Sequence, residues 1–483
     1  MSPTGDLSTI ATPGLTIGGD VVTAAERTEV INPATAQPFV AVPAAGPGEL
    51  QTAAQAAHGA APSWRALPLA ERQEYLLRLV AVVREHLDEL AHLLTLEQGK
   101  PVAKARGETE SGLRYCERYA AMDLPVEVVR DDAGERTEIR RVPVGVVGAI
   151  TAWNYPLLLA LWKIGPALVA GNTVIVKPSP YTPVATLRLG ELAQTVLPPS
   201  VLQVLAGGDD LGRAITSHPL ISKISFTGSV ATGRAIMASS APTLKRLTLE
   251  LGGNDAGIVL DDIDPAAFAE DLYWGGLSNC GQVCAGLKRL FVPAALAPEL
   301  EEALAAVAAT VVVGDGTEEG VDMGPVQNRP QLDRVRSLVA AAERDGADVY
   351  FRGEAPPGPG YFHPVALVRN ATDEMGLVAE EQFGPVLPIL TYRDLDDAVA
   401  RANASDLALG ASVWSADEDR AVQVADRLEA GTVWVNQHPL LSPDVPFGGL
   451  KQSGLGVESS RYGLLAYTDI SVLRVKRGRT QGA

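Results

Sequence analysis

The amino-acid sequence predicts an α/β protein with two doubly wound parallel-sheet domains and a small β arm. Short runs rich in β-branched residues alternate with helical stretches over residues 145–253, and the alternation resumes over 254–450. Several of the strand-like runs carry no charge, as expected for strands that helices cover on both faces. A chain of 483 residues with 46% apolar residues also predicts two or three domains.

The composition excludes several classes of partner. Fifty-eight acidic against 40 basic residues give a net charge of -18, which repels nucleic acids and anionic lipid surfaces. Three cysteines are too few for a disulfide framework and favour a reducing compartment. The first residues contain no basic segment followed by an apolar one, so we expect no secretory signal and a cytoplasmic protein.

The region before residue 145 changes its periodicity twice. Strand-like pieces at 15–17 and 21–22 precede a stretch from about 47 to 122 in which apolar residues recur at helical spacing. Residues 125–142 then alternate around a charged turn, which predicts a hairpin and a candidate oligomerisation arm. The uncharged run 142–162 is long enough to cross a bilayer, but its prolines and glycines indicate a buried strand followed by a loop and a helix.

Within residues 145–253 we predict strands at 146–150, 173–176, 201–205, 221–226 and 247–249. Ligands of doubly wound sheets bind beyond the carboxyl ends of the strands. Each predicted strand is followed there by a polar residue or glycine: Asn154, Lys177, Gly207, Gly228 and Glu250. In the second half we predict strands at 258–260, 289–292 and 433–435, with helices at 265–278 and up to 313.

The segment LSNCGQVCAGLKR (277–289) surrounds Cys284 with small, polar and cationic residues, which is a poor pattern for a core helix or strand. We interpret Cys284 as a nucleophile, although free cysteines are also common as small buried hydrophobes. Another glycine-marked turn supplies a carboxylate, Glu250. The familiar G-x-G-x-x-G pattern is absent, and FTGSVATG (226–233) stands where a strand end meets a helix start. Such a turn can hold a pyrophosphate, or it can be an ordinary helix cap.

Six ordered motifs resemble those of the NAD(P)-dependent aldehyde dehydrogenase superfamily: TAWNYP (151–156), VKPS (176–179), FTGSVATG (226–233), LELGG (249–253), GQVC (281–284), and EEQFGP (380–385) with PFGGLKQSG (446–454). The resemblance covers nearly the whole chain and implies an aldehyde dehydrogenase-like fold. It implies an NAD(P)-binding domain at 1–124 and 145–252, a catalytic domain at 253–450, and an oligomerisation element at 125–144 and 451–483. A homodimer or homotetramer is then expected.

The resemblance also implies catalytic roles that the chemistry of the residues supports. The Cys284 thiolate would attack an aldehyde to give a thiohemiacetal, whose oxyanion the Asn154 amide would stabilise. After hydride transfer, Glu250 would activate the water that hydrolyses the thioester. Lys163 and Glu458 match positions proposed to pass the proton outward, with an ordinary ion pair as the alternative.

The expected cofactor is NAD, with NADP left open. By resemblance the nucleotide would be bound by Ala152, Trp153, Lys177, Ser179, Gly207, Gly212, Phe226, Gly228, Ser229, Leu251, Glu381 and Phe383. Families that use NAD usually carry a glutamate three residues after the lysine, and this chain has Pro180. The sequence therefore lacks the acidic residue that would most clearly exclude the 2′-phosphate of NADP.

The positions that correspond to the access tunnel are apolar and favour a hydrophobic aldehyde, aliphatic or aromatic. They are Trp153, Leu157, Leu158, Trp162, Val283, Ala285, Leu441 and Phe447. Asp444 keeps a cationic aminoaldehyde open, and a semialdehyde is a further alternative.

The presence of Glu250 favours release of a free carboxylic acid over an acyl-CoA or a phosphorylated product, because this base would activate water to hydrolyse the thioester. A cysteine-dependent esterase and a scaffold without catalysis are the alternatives from other classes. Cys280, four residues before Cys284, could form a disulfide with it under oxidation or fill the loop as a neutral side chain. No metal is expected, because the six histidines show no ligand spacing with these cysteines.

Overall fold

The computed structural model describes residues 12–477 of the chain, so the first 11 residues of the predicted nucleotide-binding domain and residues 478–483 of the predicted arm lie outside it. Its strands are β1 (Leu15–Ile17), β2 (Asp20–Val22), β3 (Arg27–Asn32), β4 (Gln37–Pro43), β5 (Glu127–Asp131), β6 (Glu135–Pro143), β7 (Val146–Ile150), β8 (Thr173–Lys177), β9 (Leu202–Val204), β10 (Ile221–Thr227), β11 (Arg246–Glu250), β12 (Asp255–Val259), β13 (Leu287–Pro293), β14 (Asp348–Arg352), β15 (Ala366–Arg369), β16 (Val386–Tyr392), β17 (Leu407–Ala408), β18 (Gly410–Trp414), β19 (Thr432–Val435), β20 (Leu450–Lys451), β21 (Gly454–Leu455) and β22 (Thr468–Lys476).

The helices are α1 (Pro47–Ala66), α2 (Leu69–Glu85), α3 (Leu87–Gln98), α4 (Val102–Ala120), α5 (Pro156–Ala170), α6 (Val184–Gln194), α7 (Asp209–Ser217), α8 (Val230–Ser240), α9 (Pro265–Leu277), α10 (Ala297–Ala308), α11 (Arg329–Arg344), α12 (Gly376–Ala379), α13 (Leu395–Asn403), α14 (Glu418–Ala425) and α15 (Ser460–Leu465). Among the described helices, none combines the length and apolar character needed to span a bilayer.

The first large sheet has the order β2-β1-β9-β8-β7-β10-β11-β21. Its five central strands are parallel, as the uncharged runs predict, and helices cover them because consecutive parallel strands need crossover connections. The outer strands β1 and β21 are antiparallel to their neighbours. The mixed α/β fold class is confirmed, and each strand predicted between 145 and 253 is present.

The second large sheet has the order β14-β15-β16-β13-β12-β18-β19 and is parallel except at β14. Separate apolar cores lie against the two sheets. The link between the sheets is the short segment after β11, so Glu250 and the glycines that follow it lie where one sheet ends and the other begins.

The predicted hairpin is present as β5 and β6, and β22 from the far end of the chain extends it to a three-stranded antiparallel sheet. Residues 454–455, placed in the arm by the predicted division, instead pair with β11 at the edge of the first sheet. The division of the chain into domains stays a prediction.

Candidate active site

Cys284 follows a tight turn between α9 and β13. Asn279, Cys280 and Gly281 take the left-handed conformation one after another, with φ of 51°, 60° and 68°. Such strained positions persist only where packing enforces them. At Gly281 the reason is steric, because a Cβ there would lie 1.9 Å from the Gly384 carbonyl oxygen. The turn is therefore pressed against the EEQFGP loop, which fixes the start of the segment that carries Cys284.

The Cys284 thiol is half-buried, and its surroundings keep it protonated. Burial raises the pKa of the thiol to about 12, and the nearby carboxylates of Glu381, Glu250 and Asp255 add to the increase. A hydrogen bond from the Ala285 amide opposes this effect. A nucleophilic role for Cys284 would therefore require the loss of this proton.

Glu250 ends β11 and is buried, with 3% of its surface exposed. Burial raises the pKa of the carboxyl well above its usual value, the charge of Glu458 adds to the increase, and Lys163 opposes it. Neither carboxylate oxygen accepts a hydrogen bond from the described residues, so both are available to a water molecule or a substrate. The Glu250 carbonyl accepts a hydrogen bond from the Gly228 amide at 3.0 Å, which joins this strand end to the FTGS turn.

Asn154 is buried and connects the TAWNYP loop to the cysteine segment. Its Nδ2 donates to the Gln282 carbonyl at 3.0 Å, and its own carbonyl accepts from Asn279 Nδ2 at 3.0 Å. Lys100 Nζ donates to the same carbonyl at 2.9 Å. The amide is thus held beside the residues that precede Cys284, where a donor to an oxyanion is needed.

A cavity of about 380 Å³ lies at the carboxyl end of the first sheet. It brings together Cys284, Asn154 and seven of the residues predicted to bind the cofactor: Ala152, Trp153, Gly228, Ser229, Leu251, Glu381 and Phe383. The start of α8 adjoins it, so the positive end of that helix faces the cavity. The sequence did not single out Thr227, Gly252, Gln331 and Arg334, which complete the lining.

Glu381 and Phe383 belong to the EEQFGP loop, which contacts the turn before Cys284, and both line the cavity. Burial raises the pKa of Glu381 to about 7, and Lys288 opposes the increase. Its Oε1 accepts a hydrogen bond from the Gly253 amide at 3.3 Å, and a Cβ at Gly252 would lie 2.4 Å from Oε2. The Phe383 ring meets the Trp153 ring edge to face, with 5.3 Å between centroids.

Five residues predicted to bind the cofactor lie outside this cavity: Lys177, Ser179, Gly207, Gly212 and Phe226. Lys177 ends β8 with 4% of its surface exposed, and burial lowers the pKa of its amine to about 8. Phe226 is buried in the first core directly beneath Gly228, where a Cβ would lie 2.4 Å from the ring. Phe226 therefore supports the turn from below.

An apolar cluster packs around Cys284 on its other side. It includes five of the residues predicted to contact the substrate: Leu158, Trp162, Ala285, Leu441 and Phe447. The sequence analysis missed Tyr155 and Leu159, although they flank the predicted Leu157 and Leu158. It also missed Tyr115, Leu409 and Trp434, which lie far from them along the chain and leave no local signal that they share this cluster.

The other three predicted substrate residues lie elsewhere. Leu157 is fully buried in the core of the first sheet, because successive positions on α5 point in different directions. Trp153 lines the 380 Å³ cavity, and Val283 is half-buried outside the cluster. The structure therefore places Leu157 outside the cluster around Cys284.

Lys163 and Glu458 form a fully buried ion pair with 2.7 Å between Nζ and Oε1. The same oxygen accepts from Ser225 Oγ at 2.9 Å, and Tyr467 donates to Ser225 Oγ at 3.1 Å. The pair lies close enough to Glu250 to influence its pKa.

The structure also shows the surroundings of Cys280 and Asp444, for which the sequence left alternatives open. Cys280 is buried in the core of the second sheet, whereas Cys284 lies in the aromatic cluster, so the proposed disulfide gains no support. Burial raises the pKa of the Cys280 thiol. Asp444 forms an ion pair with Arg118, so its charge is already balanced. In the described part of the chain, no group of three or more metal-ligating side chains is placed to hold a metal.

Comparisons with known proteins identify the family of this chain. The model of the aldehyde dehydrogenase family matches residues 21–473. Phenylacetaldehyde dehydrogenase of Pseudomonas fluorescens is 39% identical over 94% of this chain and 93% of its own. An aldehyde dehydrogenase from Bacillus cereus, solved as an NAD+ complex, superposes with a TM-score of 0.93 at 35% identity, covering 96% of this chain and 97% of its own.

A structure described as an E. coli NADP dependent enzyme is equally similar, with a TM-score of 0.94 at 35% identity over 97% of this chain and 99% of its own. The matches to the family model, to the relative and to both solved structures each span more than nine-tenths of this chain. This chain belongs to the aldehyde dehydrogenase family.

Proposed function

We propose that this protein oxidises an uncharged, hydrophobic aldehyde to the carboxylic acid, with NAD as the preferred hydride acceptor. The observation that carries the proposal is the position of Cys284, which lies between the cavity lined by Glu381 and Phe383 and the apolar cluster around Trp162 and Phe447. Cys284 thus lines the cavity and also packs against the apolar cluster.

The residues around that recess fit a nicotinamide nucleotide. Glu381 offers a buried carboxylate to ribose hydroxyls, and Phe383 and Trp153 offer ring faces and edges to the nicotinamide. Gly228 and Ser229 lead into the positive end of α8, which suits a pyrophosphate. When bound, the nicotinamide supplies the acceptor for the hydride that leaves the carbon attached to sulfur.

The chain's own groups account for the remaining steps. Cys284 transfers its thiol proton to water in the cavity, and its Sγ forms a bond to the aldehyde carbon as the C=O π electrons move to oxygen. Asn154 Nδ2 and the Cys284 backbone amide donate to the resulting oxyanion. Loss of hydride leaves a thioester on Cys284. Glu250 then takes a proton from water as the water attacks the thioester, which releases the carboxylic acid and regenerates the sulfur. The unpartnered oxygens of Glu250 support this last role.

The lining of the cluster disfavours an anionic aldehyde, because burying an unpaired carboxylate among apolar and aromatic side chains costs several kcal/mol. The ion pair of Asp444 with Arg118 weakens the case for a cationic aminoaldehyde, since the carboxylate already has a partner. The similarity to a phenylacetaldehyde dehydrogenase supports an aromatic aldehyde as substrate.

The test is absorbance at 340 nm with NAD and a matched panel: phenylacetaldehyde, a medium-chain aliphatic aldehyde, a trimethylammonium aldehyde and a carboxylated semialdehyde. We expect kcat/KM for the uncharged aldehydes to exceed that for the charged ones by about tenfold or more. Higher kcat/KM for either charged aldehyde would overturn the substrate assignment. Ester hydrolysis without any nucleotide-dependent oxidation would favour the esterase alternative.

A further inference from the structure

We infer that Asp209 selects NAD over NADP at the adenosine end of the nucleotide site, in the role that Pro180 cannot fill. This inference rests on the proposed function, because it requires that the adenosine ribose lie beside Lys177. It adds a residue that neither the sequence motifs nor the family resemblance indicated.

The position of Asp209 follows from the packing of α7 on Lys177. A Cβ at Gly212 would lie 3.7 Å from Lys177 Cε, so α7 contacts the stem of this buried lysine. Asp209 is the first residue of α7 and precedes Gly212 by three positions, which places both on one face of the helix. The carboxylate therefore projects from the face that meets Lys177, at the end of the helix nearest the carboxyl edge of the sheet.

The charges around Lys177 agree with this placement. Asp209 is the one charged group in the described chain that perturbs the pKa of the Lys177 amine, and it raises it against the effect of burial. The neighbouring Asp210 behaves differently, since it pairs with Arg213 at 2.6 Å and is almost fully exposed. Lys177 Nζ itself donates to the Pro178 carbonyl at 3.3 Å, so Asp209 acts on the amine through its charge and without a direct hydrogen bond.

A lysine donor with a carboxylate acceptor in its electrostatic neighbourhood suits a ribose diol, because each hydroxyl can both donate and accept a hydrogen bond. A 2′-phosphate offers acceptors and negative charge only, so it would be attracted by Lys177 and repelled by Asp209. The glutamate usual at position 180 in NAD families would supply this repulsion from the loop after β8, whereas here it comes from the start of α7.

The test uses the whole protein without aldehyde and compares binding of 5′-AMP and 2′,5′-ADP by calorimetry. The variants are Asp209→Asn and the matched control Asp210→Asn, which removes the same charge one residue along the same helix. We expect wild type to prefer 5′-AMP and Asp209→Asn to shift the ratio of the two dissociation constants about tenfold toward 2′,5′-ADP. The Asp210→Asn variant should keep the wild-type ratio, because Arg213 already balances that carboxylate.

The ratio of kcat/KM for NADP and NAD should move by the same factor in Asp209→Asn. An unchanged binding ratio in Asp209→Asn, or an equal shift in Asp210→Asn, would overturn the inference and leave the proposed function standing. Failure of the folded wild-type protein to bind 5′-AMP, 2′,5′-ADP or NAD would instead count against the proposed function, and the inference would fall with it.

Discussion

Burial raises the pKa of both Cys284 and Glu250. The Glu250 carboxylate is among the groups that raise the pKa of Cys284. Two neighbouring buried anions would be costly, so ionisation of either group disfavours ionisation of the other. Chemistry at this site therefore depends on when each proton leaves.

Replacing Cys284 by alanine should lower aldehyde oxidation at least about a thousandfold, because no other thiol contacts the aromatic cluster in the described residues. Cys280→Ala is the matched control, since Cys280 lies in the second core and should be dispensable for turnover. Both are followed at 340 nm, with nucleotide binding measured to show that the site is intact. Loss of activity in Cys280→Ala with unchanged folding would contradict this assignment.

Glu250→Gln should block hydrolysis while leaving acylation. We expect a burst of reduced cofactor about equal to the number of sites, followed by a steady rate about a hundredfold below that of wild type. Stopped-flow absorbance at 340 nm measures both phases. If no burst occurs and the whole reaction is slow, Glu250 must act at or before hydride transfer.

Glu250 should also make the rate of thioester hydrolysis depend on pH. Glu250 acts as a base only when ionised, and burial raises its pKa, so the hydrolysis rate should rise with pH over a range above that of an exposed glutamate. In Glu250→Gln the residual steady rate should not show this increase with pH. A wild-type steady rate that is already constant from pH 5 upward would argue against Glu250 as the base.

At the scale of elements, Glu97 of α3 caps the N-terminus of α6. Glu97, near the end of α3, accepts hydrogen bonds from the Val184 amide at 2.6 Å and the Ala185 amide at 3.0 Å. These amides open α6, which has no side-chain cap of its own. Burial raises the pKa of Glu97 to about 8, and the two hydrogen bonds oppose the increase.

This raised pKa makes stability fall as pH rises. An unfolded glutamate ionises near its model value of 4.5, whereas folded Glu97 holds its proton to about 8, so the folded state binds more protons between these values. Its contribution to the free energy of unfolding is full below pH 4.5 and is lost by pH 8. In Glu97→Gln, calorimetric Tm values from pH 5 to 8 should fall less steeply than in wild type. Equal slopes would show that Glu97 is already ionised.

The pair of Lys163 and Glu458 ties α5 to the segment before α15. Lys163→Met or Glu458→Gln alone should destabilise the protein by about 3 kcal/mol, because each leaves a buried charge without its partner. The double variant should lose less than the sum of the two, as measured by urea unfolding at fixed protein concentration. Additive losses would contradict a direct pair. A turnover defect with a changed pH profile in a stable variant would favour the proton relay.

At the scale of the whole molecule, the three-stranded arm leaves apolar side chains uncovered. Val129, Ile470 and Val472 are 58%, 62% and 56% exposed, and β5 and β22 are its edge strands. A second copy of the chain is the partner we expect to cover them.

Light scattering after gel filtration should therefore show a dimer or larger assembly for the wild-type protein. Ile470→Glu combined with Val472→Glu should lower the molar mass, because the charges would be buried at the interface. Val422→Glu is the control, since Val422 is 49% exposed on α14, away from the arm. A wild-type monomer, or an assembly unchanged by the double variant, would remove the arm as the interface.

The sequence determined the secondary structure and the motifs, because both are local. Helical and alternating periodicity reflect which face of one segment is buried, and this gave the strands between 145 and 253 and the hairpin. Cys284, Glu250 and Asn154 could be named because each lies in a short segment whose glycines and polar residues are unusual for a core.

The tertiary structure decided which residues meet. Tyr115 and Trp434 join the cluster around Cys284, while Leu157, next to Leu158, turns into the core of the first sheet. Asp209 lies 32 positions after Lys177 in the chain, and its charge acts on this lysine because the helix α7 approaches it at Gly212. Local periodicity carries no information about such contacts, since they depend on how distant segments pack when both sheets are complete.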